Sequence, residues 1–224
     1  PSFGPQLFQF LHELTGENDK AFWKANKDRY ERDVRGPALE FIEAMGPQLR
    51  TISPHFLAVA KKSGGSLMRP FRDTRFSRDK TPYKTNVGIQ FRHAAGRDVH
   101  APGWYLHLSA EECFLGVGMW RPESSALRAV REGIVGQSEL WLETRGAVEA
   151  AGWTLGGDSL KRAPKDFDKD HPLIEDLRRK DHVAVRDLEI DEILDVGFLE
   201  DVVHMFRSVT AYMRFLTEAV GQPF

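Results

Sequence analysis

The chain has 224 residues, 41% of them hydrophobic and 29% charged, with a formal net charge of −2. That composition supports one packed domain over residues 1–224, and near-neutral charge argues against a dedicated non-specific nucleic-acid binder, which is usually basic throughout one face. Cys113 is the only cysteine, so no internal disulfide can form. With no signal-peptide pattern and no apolar window near the ~18 residues that span a bilayer, a soluble cytoplasmic protein without a membrane partner is expected.

The first fifty residues read as three helices. Leu7, Phe8, Leu11 and Leu14 share a helical face that ends at Thr15-Gly16. Asn18 can cap a second helix with Phe22, Trp23, Asn26, Tyr30 and Val34 on its inner side. Gly36-Pro37 is expected to break and restart the chain before a stripe of Ala38, Phe41, Ile42, Met45, Leu49 and Ile52. After Ser53-Pro54 the period changes. His55 to Lys61 can be a strand, and Leu67 to Phe71 another, which Pro70 confines to an edge or a bulge. Residues 73–85 are too charged for a simple strand and read as an ordered loop.

Val87, Ile89 and Phe91 then alternate with Gly88, Gln90 and Arg92 as a half-buried strand, followed by a loop from Ala94 to Pro102. Trp104, Leu106 and Leu108, then Cys113, Leu115, Val117 and Met119, form a hairpin. Gly116 and Gly118 clear one of its faces for a helix, a core aromatic or a ligand. Helical spacing returns at Ala126, Leu127, Val130 and Ile134, and again at Leu140, Trp141, Thr144 and Val148. A short strand fits within Gly152–Asp158, a short helix follows Pro172, and a last strand starts at His182. Phe198, Val202, Met205, Phe206, Val209, Met213, Leu216 and Val220 keep one helical stripe for over twenty residues. Helices bracketing strands joined by short turns argue an α+β domain with an antiparallel or mixed sheet flanked by helices. Neither G-x-G-x-x-G nor G-x-x-x-x-G-K-[ST] occurs, so no nucleotide cofactor fold is indicated.

The chemistry concentrates between Arg69 and Lys84. Six cations (Arg69, Arg72, Arg75, Arg78, Lys80, Lys84) and two acids (Asp73, Asp79) give a local net of +4, so the rest of the chain sums to −6. Phe71, Phe76, Pro82 and Tyr83 are interleaved and can anchor this stretch to the body. Guanidinium forks suit phosphate or carboxylate oxygens.

The pattern Arg69-x-x-Arg72-Asp73-x-Arg75-Phe76-x-x-Asp79-Lys80-x-x-Tyr83-Lys84 resembles the signature of a bacterial family known as domain of unknown function 2461, found also inside longer fungal proteins. Similar segments are Phe22 to Asn26 with Tyr30, Pro102 to Leu108, Gly116 to Pro122, and Leu160 to Lys165 with Asp170-His171-Pro172. Asp166 departs from the glycine expected there. The resemblance covers nearly the whole chain and implies no activity.

From the residues themselves, the leading expectation is an anion site: Arg69, Arg72, Arg75, Lys80 and Lys84, joined by Lys161 and Arg162, converge on a phosphorylated or other anionic small molecule. A nucleic-acid backbone is the less favoured ligand, because exposed aromatics for a single strand look sparse. An enzyme acting on such an anion would use His107, Asp73 or Tyr83 for proton transfer. In a third reading the signature is a salt-bridge network that pins a loop, and function lies in protein contacts. No metal is expected. Asp166-x-Asp168-x-Asp170 lacks the glycine and the glutamate of a calcium loop, and His93, His100 and His107 lack a helical ligand spacing. Cys113 lies on an apolar strand face, and Ser77 has no nucleophile elbow around it.

Overall fold

The computed structural model describes residues 3–96 and 101–224, so the loop expected from Ala94 to Pro102 is covered in part and His100 lies outside the described residues. Helix α1 (Pro5–Gly16) starts on a proline, whose missing N–H would have no partner in a first turn, and buries Leu7, Phe8, Phe10, Leu11 and Leu14. Helix α2 (Lys20–Ala25) is capped by Asp19, which accepts the Phe22 N–H at 2.8 Å. The cap is thus one residue beyond the expected Asn18, whose side chain is spent elsewhere. Helix α3 (Lys27–Arg29) runs through a π-helical turn, Tyr30–Arg35, into α4 (Gly36–Ile52). Gly36 keeps helical dihedrals and donates to the Glu31 carbonyl five residues back. The expected break at Gly36-Pro37 is absent because this wide turn absorbs Pro37, which has no N–H to donate.

The strands form one antiparallel sheet in the order β1-β2-β3-β4-β6-β5. They are β1 (Phe56–Leu57), β2 (Asn86–His93), β3 (Gly103–Ser109), β4 (Cys113–Met119), β5 (Thr154–Gly156) and β6 (His182–Asp187). The strand expected from His55 to Lys61 is only two residues long. Register sorts the side chains cleanly. Phe91, Trp104, Val117 and Ala184 line up across the sheet, beside Ile89, Leu106 and Leu115. These residues are fully buried, or nearly so, under the helices; a buried apolar side chain of this size contributes about 1.5–3 kcal/mol. On the other face run Gln90, Tyr105, Gly116 and Val185, and beside them Gly88, His107, Phe114 and Asp187. Tyr105, His107, Phe114 and Val185 there stay partly exposed. The two hairpin glycines serve packing. A Cβ on Gly116 would touch the Tyr105 ring at 3.7 Å, while Gly118 (φ +116°) has the His182 carbonyl oxygen 2.0 Å from where a Cβ would sit.

Helices α5 (Ser124–Gly136), α6 (Ser138–Ala150), α7 (Ile174–Leu177), α8 (Ile190–Leu194), α9 (Phe198–Ser208) and α10 (Thr210–Ala219) complete the fold. Trp104 packs on Phe206 and Trp141 on Phe215, joining sheet and helices in one core. Leu140, expected in the α6 stripe, is 45% exposed beside the buried Trp141. The single C-terminal helix expected from the apolar stripe is two helices, parted at Val209 (φ −119°, ψ 19°). The flanking hydroxyls explain the break: Ser208 Oγ donates to the Met205 carbonyl and Thr210 Oγ1 to that of Phe206, competing with the helical ladder.

Candidate functional site

The signature stretch leaves the edge of β2 as a two-stranded ribbon. Its first arm extends the sheet, with Gln90 N–H donating to the Ser66 carbonyl and Met68 N–H to that of Gly88. Farther out the chain pairs with itself: Lys84 N–H donates to the Pro70 carbonyl at 2.7 Å and Arg72 N–H to that of Pro82 at 2.9 Å. Pro70 is tolerated because this edge position asks only for its carbonyl. The ribbon is pinned to the helices at Tyr83. Its ring, 6% exposed, stacks on Trp23 (4.2 Å, 8°), and Phe71 leans on both rings. Asn18 completes the pin by donating to the Tyr83 carbonyl (2.9 Å) and accepting its N–H (3.0 Å), much as a neighbouring strand would.

Phe71 therefore anchors as expected, whereas Phe76 does not: it is 95% exposed at the ribbon's tip. Around the tip both acids find arginine partners. Asp73 takes a bidentate pair from Arg75 (3.0 and 2.7 Å), and Asp79 pairs with Arg72, which also donates to Thr81. Arg75 holds the Asp73 carboxyl at about 2, and the Thr81 N–H followed by Arg72 holds Asp79 at about 2. Asp73, engaged by Arg75 and this acidic, is a poor proton acceptor at neutral pH. Lys80 donates to the Thr74 carbonyl. The Asp73–Arg75 pair is solvent-exposed and Arg72 is partly covered, and beside these ion pairs Asn18, Trp23 and Tyr83 pin the ribbon's base to the helices.

At the ribbon's base lies a cleft of about 400 Å³, lined by Arg72, Asp79, Tyr83, Lys84, Asn18 and Asn86, with three threonines. Lys84 is the distinctive group. Burial first, and the neighbouring Arg69 second, push its ammonium below the ordinary lysine value. Among the described residues neither Arg69 nor Lys84 forms a close ion pair with a carboxylate, though Arg69 acts on Asp73 from farther away. Asn86 links the cleft to the partly exposed sheet face, donating from Nδ2 towards His107 Nδ1 at 3.5 Å. Tyr105 donates its hydroxyl to the same nitrogen at 3.2 Å, and the imidazole stacks on Phe114 (4.6 Å, 7°). With Nδ1 as acceptor the His107 proton sits on Nε2, which faces Glu112 at 3.9 Å. Burial lowers the His107 pKa, with Glu112 opposing, and pushes the Tyr105 hydroxyl up to about 12.

Of the residues singled out in the sequence, Arg72, Tyr83 and Lys84 thus meet at one cleft, with Arg69 beside Lys84 and His107 one hydrogen bond away through Asn86. Arg75, Lys80 and Asp73 belong to the tip. Lys161 and Arg162 do not join them. Leu160 bonds to the Arg178 carbonyl and Ser159 pairs with Arg179, next to β5 and β6. That is the opposite corner of the sheet, roughly 20 Å away at ~4.8 Å per strand. His93 and His107 lie on opposite faces of the sheet, and no three metal-ligating side chains cluster among the described residues. A wider depression of about 500 Å³ along β5 and β6 has one cation in its lining, Arg186, already given to the Ala151 carbonyl, with Asp187 beside it.

Asn18 and Asn86 were hidden in sequence for different reasons. Asn18 looked like a helix cap, and the one signal against it was Asp19 beside it, an equally good cap. Asn86 lies two residues past the signature stretch and carries no charge. No curated protein matches the chain. The model of the conserved hypothetical protein family DUF2461 matches residues 6–215, a span that takes in the ribbon, its anchors and the whole sheet, and the chain belongs to that family.

Proposed function

We propose that the cleft beneath the ribbon binds a small anion, a phosphate group or a carboxylate, with Lys84 as its charge and Arg72 and Asn86 as directional donors. The observation that carries this reading is the half-buried Lys84 ammonium beside Arg69 with no carboxylate in ion-pairing distance, the cleft's Asp79 being engaged by Arg72. An ammonium drawn partly out of water without a counter-charge is unfavourable unless something restores the balance. A bound oxyanion does so through charge-assisted hydrogen bonds of about 1.5–3 kcal/mol each. Calorimetric titration with inorganic phosphate, pyrophosphate and citrate tests the reading. Lys84→Met should weaken binding of the preferred anion at least tenfold. Equal affinity in the two proteins would refute it.

A second reading is supported by the Asn86 link: the same anion as substrate, with His107 exchanging a proton. Its lowered pKa keeps the imidazole neutral and able to accept a proton near pH 7. Phosphatase or esterase turnover that survives His107→Gln would remove this role.

A further inference from the structure

Phe76 is the most exposed large apolar side chain among the described residues. It rides on a turn closed by the Ser77 N–H to the Thr74 carbonyl. Turns of this kind do not call for an aromatic; glycine, asparagine and aspartate fill them more readily. Nor does the ring pack on the body, since its one described ring contact is the Arg75 guanidinium 5.8 Å from its centroid. Arg78 beside it has no ion-pair partner among the described residues, and Lys80, with one N–H on the Thr74 carbonyl, keeps donors to spare. The tip grows directly from Arg72, Asp79 and Thr81, which line the cleft.

We propose that the ribbon is a binding track for single-stranded nucleic acid: a backbone phosphate sits at Lys84 in the cleft, a base farther along the same strand stacks on Phe76 at the tip, and Arg78 and Lys80 take phosphates near that base. This deepens the anion reading of the cleft and rests on it. An exposed ring face together with cations is the combination that single strands use, because their base faces are free, whereas a duplex hides them. The exposed ring also changes the weight given to aromatics in the sequence, where Phe76 read as an anchor. Phe71, half exposed at the ribbon's base, offers a second ring on the same path. An anionic membrane fits less well. Immersing the tip would carry Asp73 and Asp79, both held ionised, into a layer of negative headgroups. A base needs only the outer face of the ring.

Fluorescence anisotropy with labelled oligothymidylate and oligouridylate tests the proposal, in parallel with pyrophosphate calorimetry. Phe76 is so exposed that its variants fold as the wild type does. Phe76→Ala and Phe76→Leu should each weaken oligonucleotide binding about tenfold, since both remove the flat ring, and leave pyrophosphate affinity unchanged. Lys84→Met should weaken both. Oligonucleotide affinity should fall with salt with a log–log slope of about −2, for three phosphate contacts on a single strand. Pyrophosphate binding without oligonucleotide binding would overturn this proposal and leave the cleft reading standing, whereas loss of both would remove the cleft reading first. Oligonucleotide binding unaffected by Phe76→Ala would overturn it too. So would co-sedimentation with phosphatidylserine vesicles that persists in Phe76→Leu, if no oligonucleotide binds.

Discussion

Lys84 sits where folding alone gains little from a charge. Its stem lies against the ribbon's base, its ammonium is half out of water, and Arg69 repels it. Methionine keeps most of the stem's packing and removes the charge, so Lys84→Met should melt within about 2 °C of wild type or above it. A residue kept for structure would show the reverse, a clear loss of stability on substitution. Asp166 illustrates a residue-scale conflict that the sequence does disclose. Its position is one where the family resemblance leads one to expect glycine, and its φ of +70° is in the left-handed region. Aspartate is among the few side chains that tolerate this conformation, and its carboxylate also meets Arg128 at 3.2 Å.

At the scale of elements, the ribbon depends on partners far away in sequence. Asn18 stands 65 residues from Tyr83, and its amide satisfies both backbone groups there. Asn18→Ala should strand that N–H and C=O, costing about 1–3 kcal/mol. Amide exchange at Tyr83 and Lys84 should speed up while β3 and β4 stay protected; unchanged protection at Tyr83 would show that the Trp23 stack suffices alone. This explains what was legible beforehand. The alternation along β2, β3 and β4 is local, and so are the arginine spacing and the apolar stripes of α1, α4 and α9, so all could be read from the chain. The Asn18 pin, the π-helical passage through Pro37 and the parting of α9 from α10 at Val209 depend on side-chain hydrogen bonds or backbone adjustments that periodicity does not encode. Lys161 and Arg162 read as site residues because composition reports charge and not which corner of a sheet the charge occupies.

At the scale of the whole molecule, the sheet buries one face under helices and keeps the other partly open, and the buried side holds a titratable group of its own. His182 is fully buried, edge-on to Trp141, with both ring nitrogens lacking a hydrogen-bond partner. Burial first, then Arg179 and Arg131, lowers its pKa to about 3. The unfolded chain takes up this proton near pH 6.5 and the folded protein only near 3. Stability is therefore complete above about pH 6.5 and declines as the pH falls through that window, by on the order of 1 kcal/mol per pH unit. His182→Leu should flatten the acid limb, and an unchanged pH profile would contradict the assignment. The exposed Asp73 and Asp79 act only lower, below about pH 4.

Ligand-linked stability tests the central claim, an anion cleft charged by Lys84, at this same scale. A thermal melt should be run on wild type and Lys84→Met, each with and without pyrophosphate. At a hundredfold excess over Kd, a ligand that binds only the folded state adds about 2.7 kcal/mol, so the wild-type midpoint should rise by roughly 5–10 °C. The Lys84→Met midpoint should stay nearly where it was without ligand. An equal rise in both proteins, or no rise in wild type with any of phosphate, pyrophosphate and citrate, would contradict the account.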